Sequence, residues 1–307
     1  MKLLILKYFL VLLIFSIAKD ELLCQNKYPE EINFKMGLMA YAFDEVNLSD
    51  GNAALEMWME STKKRLVTRG VKKLDIVYKN YNNLEKLEDD VISGKVDVFS
   101  IKTTDFYKLK NFNNYQPLIV GSRNANSIYE QFILITNKQT GYKNINDIVS
   151  EEIVTAKTVF EDLSQIWAEV VIKENSVNKL KKRINFNSQS ITEYNLILGV
   201  FFGKYKCAVV SLSVFELVCE LNPKVKSNTV ILSTSPELIN VFFARKKNIP
   251  EATIEALEIF AEELNDDKEG KQILSLFKTV KVEKLSTNEI FSTKELIQKH
   301  KRLFNTK

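Results

Sequence analysis

The chain has 307 residues, 45% hydrophobic and 27% charged, with a formal net charge of +4. That length allows one large domain or two units with sizeable cores. The near balance of charge argues against a nucleic-acid partner. Nine glycines, none in a Gly-rich phosphate motif, argue against a nucleotide loop. The cysteines, Cys24, Cys207 and Cys219, form no C-x-x-C pair, and the one histidine, His300, lies near the C-terminus. Neither a zinc centre nor a Ser-His-Asp or Cys-His set can be assembled from them. No metal, no cofactor and no enzymatic activity are therefore expected. Cys207 and Cys219 read either as a disulfide or as two small buried side chains.

Residues 1–18 begin Met1-Lys2, run apolar from Leu3 to Ile17 and end in Ser16-Ile17-Ala18. This is the pattern of a secretory signal peptide, with an uncleaved anchor as the alternative. Nothing later is long and apolar enough to span a bilayer. The expected location is periplasmic or otherwise extracytoplasmic, with the leader as a possible membrane anchor.

From residue 32 the pattern alternates between strand and helix periods. Residues 32–39 read as a strand, 53–69 as an amphipathic helix with Leu55, Trp58, Met59, Thr62 and Leu66 on one stripe. Residues 74–78 read as a strand and 83–93 as a helix ended by Gly94. Residues 96–100 form a buried strand, 100–104 a polar turn, and a helix opens at Asp105. This β-α-β-α-β-α order predicts a mostly parallel sheet. Residues 115–120 begin a connection, 127–136 read as a long apolar strand and 144–148 as a short helix. A second series follows: strand 152–156, helix 160–174, strand 183–186, helix 190–202, strand 206–211, helix 213–221. Extended segments at 228–232 and 239–245 precede helices at 250–264, 267–277 and 292–303. The last is expected to pack on the first unit.

The two series share a plan. Ser93-Gly94-Lys95-Val96-Asp97-Val98-Phe99-Ser100 and Phe202-Gly203-Lys204-Tyr205-Lys206-Cys207-Ala208-Val209-Val210-Ser211 both read helix, Gly-Lys turn, buried strand, serine, helix. Ligands in open α/β sheets sit beyond the carboxyl ends of strands, near the following helix N-termini. Ser100, Thr103 and Thr104 on one side, with Ser211 and Ser213 on the other, are thus candidate walls of a cleft. The same residues also read as ordinary helix caps.

With a leader, two α/β units, crossover segments and C-terminal helices, the chain resembles a type II extracytoplasmic solute-binding protein of the phosphate/phosphonate type that serves ABC importers. The segments that carry the resemblance are Val91-Ile92-Ser93-Gly94-Lys95-Val96-Asp97-Val98, Gly203-Lys204-Tyr205-Lys206-Cys207-Ala208-Val209-Val210 and Leu134-Ile135-Thr136-Asn137-Lys138. The resemblance implies an α/β, two-lobed type II periplasmic-binding-protein fold. Each lobe would be a mostly parallel sheet flanked by helices, with two crossover strands as hinge. One lobe would be residues 30–122 with 235–307, the other 123–234. The cleft would close on a ligand.

By position, the resemblance places ligand contacts at Tyr41 and Asp44, at Ser100, Thr103 and Thr104, at Glu161, Asp162 and Ser164, and at Ser188, Ser211 and Ser213. Where the family has small hydroxyl residues and glycine at a helix start, this chain has Glu161 and Asp162. Carboxylates there repel a dianion and serve as helix caps themselves. With Asp44 and Glu45 they point to a cationic or zwitterionic ligand rather than a phosphonate. The implied function is capture of a small molecule for an ABC importer permease by a monomeric protein. The alternative is a ligand-sensing or degenerate module that partners a membrane-bound sensor.

Overall fold

A computed structural model of the chain describes residues 30–43, 48–68, 70–123, 126–148, 152–175 and 186–304. The segment expected to be a leader, Cys24 and Asp44 lie outside the described residues. Among those described, no helix is long and apolar enough to cross a membrane.

The first sheet is ordered β11-β4-β10-β3-β1-β2. Its strands are β1 (Glu31–Met39), β2 (Lys73–Tyr81), β3 (Val98–Lys102), β4 (Tyr115–Ser122), β10 (Val241–Lys246) and β11 (Lys281–Lys284). β1 runs parallel to β2 and β3, while β10 is antiparallel to both β3 and β4. The second sheet is ordered β7-β6-β8-β5-β9. It is built from β5 (Phe132–Asn137), β6 (Ile153–Ala156), β7 (Phe186–Gln189), β8 (Cys207–Ser211) and β9 (Thr229–Thr234). β3 and β8 are buried along their whole length; β8 accordingly reads as an apolar run closed by Ser211, whereas β3 buries Ser100 and Lys102 among its apolar residues.

Helices cover both faces of each sheet. On the first sheet, α1 (Leu48–Thr68), α8 (Glu251–Asp266) and α9 (Lys268–Leu276) lie on one face and α2 (Leu84–Ile92) and α3 (Thr103–Phe106) on the other. Trp58 of α1, Phe34 of β1 and Phe260 of α8 join edge to face, with Trp58 and Phe260 centroids 4.7 Å apart. On the second sheet, α4 (Glu161–Asn175) covers one face. α5 (Glu193–Phe201), α6 (Leu212–Leu221) and α7 (Pro223–Asn228) cover the other. Cys207 belongs to the first of these cores and Cys219 to the second; both are buried thiols that form no disulfide.

The repeated Gly-Lys turns are structurally equivalent. Gly94 and Gly203 adopt φ of 75° and 77°. In one turn the Lys95 and Val96 N–H groups donate to the Asp90 carbonyl; in the other, Lys204 and Tyr205 donate to that of Gly199. Each turn closes a helix in the left-handed conformation that glycine adopts without Cβ strain and aims the next strand into the sheet.

Several boundaries differ from the sequence reading. The polar turn at 100–104 does not exist as a loop: β3 continues to Lys102 and α3 starts at Thr103. Pairing of Val241 with Lys102 extends the ladder that far. The strand expected at 183–186 is β7, beginning at Phe186, and the expected long strand at 127–136 is ordered as β5 only from Phe132. β11 was not foreseen; it is the four residues Lys281-Val282-Glu283-Lys284 at a sheet edge. The C-terminal helix α10 (Phe291–Phe304) does not pack chiefly on the first sheet's helices. It lies along α4, where His300 meets Glu169 at 2.5 Å and Lys299 meets Glu174 at 2.6 Å.

Gly94→Ala and Gly203→Ala each place a Cβ on a left-handed residue. Each is expected to lower stability by about 1–2 kcal/mol, read by urea unfolding; unchanged midpoints would show that the twin turns do not need glycine.

Candidate functional site

Two chain segments cross between the sheets, and they are fastened to each other. Glu130 and Leu238 exchange backbone hydrogen bonds of 2.8 and 2.9 Å. The Phe132 N–H donates to Ser235 Oγ at 2.8 Å, and Gln131 Nε2 donates to the Ser235 carbonyl at 3.0 Å. Just beyond, the Thr103 hydroxyl donates to the Ile239 carbonyl at 2.5 Å, and its N–H donates to that of Asn240 at 2.6 Å. The start of α3 is thus clamped to the second crossing.

Between the carboxyl ends of the two sheets three contacts span the gap. Lys102, the last residue of β3, extends its ammonium to 3.1 Å from Asp162 Oδ2 in the first turn of α4. Asn240 Nδ2 donates to the Val159 carbonyl at 2.9 Å. The Arg123 guanidinium stands 4.4 Å from the centre of the Phe160 ring. The Lys102 side chain is only 11% exposed, whereas that of Asp162 is 53% exposed. Solvent therefore screens the pair on one side, while the lysine pays most of the dehydration.

Tyr41 supports Lys102 from below. Its hydroxyl accepts the Lys102 N–H at 2.9 Å, and its ring lies 4.8 Å from the Lys102 ammonium, close enough for a cation–π contact. Burial, reinforced by the Asp105 charge, pushes the Tyr41 phenol far above the usual tyrosine range, so it stays neutral and polarisable. Burial likewise raises Tyr107, to about 12.

The expected site residues divide accordingly. Tyr41, Ser100 and Asp162 gather at the gap with Lys102, although the Ser100 hydroxyl already accepts the Met39 N–H at 2.9 Å. Glu161 turns into its own unit, where Oε1 accepts from Thr155 Oγ1 at 3.1 Å and Gln165 Nε2 at 3.0 Å. Ser164 donates to the Glu161 carbonyl within α4. The Ser211 hydroxyl and N–H both donate to Glu193 at the start of α5, each at 3.1 Å. Thr103 is bound to the crossing segment, and Thr104 Oγ1 is buried without a hydrogen-bond partner among the described residues. Ser188 and Ser213 are exposed, and Asp44 lies outside the described residues. Sequence reasoning missed Lys102, Arg123 and Asn240. Only Lys102 carried a signal, since it sits inside the hydroxyl-rich run. Among the described residues no group of His, Cys, Asp and Glu is placed to hold a metal.

A family model described as "ABC transporter, phosphonate, periplasmic substrate-binding protein" matches residues 45–289. No curated protein matches the sequence. Among solved structures, a Xanthomonas citri protein bound to ATP has a TM-score of 0.60 at 11% identity, covering 90% of this chain and 99% of the other. PhnD1 of Prochlorococcus marinus, in complex with methylphosphonate, has a TM-score of 0.56 at 14% identity, with the same coverage. A binding-protein component of an ABC phosphonate transporter from Pseudomonas aeruginosa has a TM-score of 0.55 at 13% identity, covering 89% of this chain and 87% of that one. These likenesses show the fold, that of type II periplasmic binding proteins.

The hydroxyl assignments separate by stability. Thr103→Val removes the hydroxyl from the Ile239 carbonyl while its N–H still serves that of Asn240, and is expected to cost about 1–3 kcal/mol, whereas Ser213→Ala is expected to stay within about 0.5 kcal/mol. Thermal unfolding of both variants checks this; equal effects would contradict the division.

Proposed function

Because the chain belongs to the phosphonate-type family of periplasmic substrate-binding proteins of ABC transporters, we propose that it captures a small molecule between its two α/β units and delivers it to an importer permease. The units proposed are residues 30–122 with 235–307, and residues 123–234, with α10 of the first reaching across to lie along α4 of the second. The observation that carries this reading is the Lys102–Asp162 bridge. It joins the end of a strand in one unit to the first turn of a helix in the other, the place where open α/β folds hold ligands. A bridge of two opposite charges at the gap receives a ligand that carries both signs: its acid replaces Asp162 at Lys102, and its ammonium meets the released Asp162. A zwitterion fits this exchange better than a bare dianion, which would leave Asp162 unpaired beside it. With Glu161 turned inward, Asp162 is the one acidic group of that helix start offered to the gap.

The same bridge also suits a second reading, in which the units close on their own charges and report to a membrane signalling protein. Permease and ATPase genes beside this one support transport; a kinase or cyclase gene supports sensing.

Mass spectrometry of small molecules released from natively purified protein is the test. One zwitterionic compound near one-to-one stoichiometry is expected in the wild type and its loss in Lys102→Met. A protein that releases nothing, and that gives no calorimetric signal with amino acids, amines or phosphonates, would refute capture.

A further inference from the structure

The gap between the units opens into a second space. A cavity of about 260 Å³ starts at Tyr41, Arg123 and Asn240 and extends under α1, α8 and α9, along one face of the first sheet. Its deep walls are Phe34, Trp58, Leu257, Phe260, Leu264 and Ile273. Well-packed cores leave few voids larger than a water molecule, and a cavity of about 150 Å³ already accepts benzene. By that scale this one has room for about ten carbon atoms.

Two buried polar atoms in its lining lack hydrogen-bond partners among the described residues, Trp58 Nε1 and Asn240 Oδ1. Both residues are almost wholly buried, at 4% and 3% exposure. The other amide atom of Asn240 is engaged with the Val159 carbonyl, so Oδ1 is the acceptor left over. Trp58 packs edge to face against Phe260, and its indole N–H is the donor left over. Buried polar groups are nearly always paired. One unmatched acceptor near the mouth and one unmatched donor deeper in the same space describe the complement of a ligand.

Resting on the cleft reading above, we propose that this cavity is an apolar subsite that admits the body of an amphiphilic ligand. The charged head stays at Lys102 and Asp162 and gives a donor to Asn240. A chain or ring system of up to about ten carbons enters beneath α1 and α8, and an acceptor on it receives the Trp58 N–H. The substrate class is thus a medium-length amphiphile with a zwitterionic head, larger and more apolar than methylphosphonate.

The probe is a series of 1-aminoalkylphosphonates with one to ten carbons, measured by calorimetry on the wild-type protein. Affinity is expected to rise roughly fourfold per methylene and to level off as the cavity fills. In a Trp167→Phe protein, which keeps Trp58 as its only tryptophan, emission is expected to shift only with the longer members. Ala261→Leu, which narrows the cavity from α8, is expected to flatten the chain-length dependence. Binding of the short members with no gain from length overturns the subsite while leaving the cleft reading intact. A gain that persists unchanged in Ala261→Leu with no change in Trp58 emission overturns it as well, as does failure of every member to bind. In that last case the released-ligand measurement decides the cleft reading separately.

Discussion

The ammonium of Lys102 is the point on which the two halves of the molecule meet. It stands at the end of β3, almost out of solvent, above the Tyr41 ring and against the Asp162 carboxylate of the opposite unit. A lysine so placed needs a negative partner, because an unpaired charge at low dielectric is costly. Asp162 supplies it from a helix start, where a carboxylate is also favoured by the helix dipole. The same residues thus close the gap and define what can replace them there.

The rest of the fold holds that lysine in place. The Gly94 turn sends β3 into the centre of the first sheet, and pairing with β10 carries the ladder through to Lys102. Thr103 then ties the next residue to the crossing segment at Ile239 and Asn240. On the other side, the Gly203 turn orients β8, and α4 presents Asp162 from a core built on Leu163 and Trp167. The crossings are paired at Glu130 and Leu238, and α10 adds a further link by lying along α4 through His300–Glu169 and Lys299–Glu174.

Much of this was legible in the sequence because it rests on local rules. Alternation, apolar runs and glycine stops located β1, α2, β8, α8 and the twin Gly-Lys turns within a few residues. What was not legible depends on long-range pairing. Whether residues 100–104 form a loop or a strand end is decided by β10, some 140 residues later. The destination of α10 is set by Glu169 and Glu174 on α4, and no local pattern encodes such a partner. At the site, residue type misled in a similar way. Hydroxyls at strand ends invited a ligand role, yet Thr103 and Ser211 are bound to backbone and Glu193. The acidic pair Glu161–Asp162 looked uniform in sequence, but consecutive residues at a helix start point in different directions. One faces its own unit and the other faces Lys102. The cavity under α1 was invisible because its wall residues read as ordinary core.

The most direct test of the cross-unit bridge is a distance measurement between the units. Spin labels at Lys64→Cys of α1 and Glu216→Cys of α6, both exposed positions, report the separation by pulsed electron resonance, with Cys24 replaced by serine. The bridge predicts one narrow distribution in the otherwise wild-type protein and a broader, longer one when Lys102 is also changed to methionine. Identical distributions in the two proteins would contradict it.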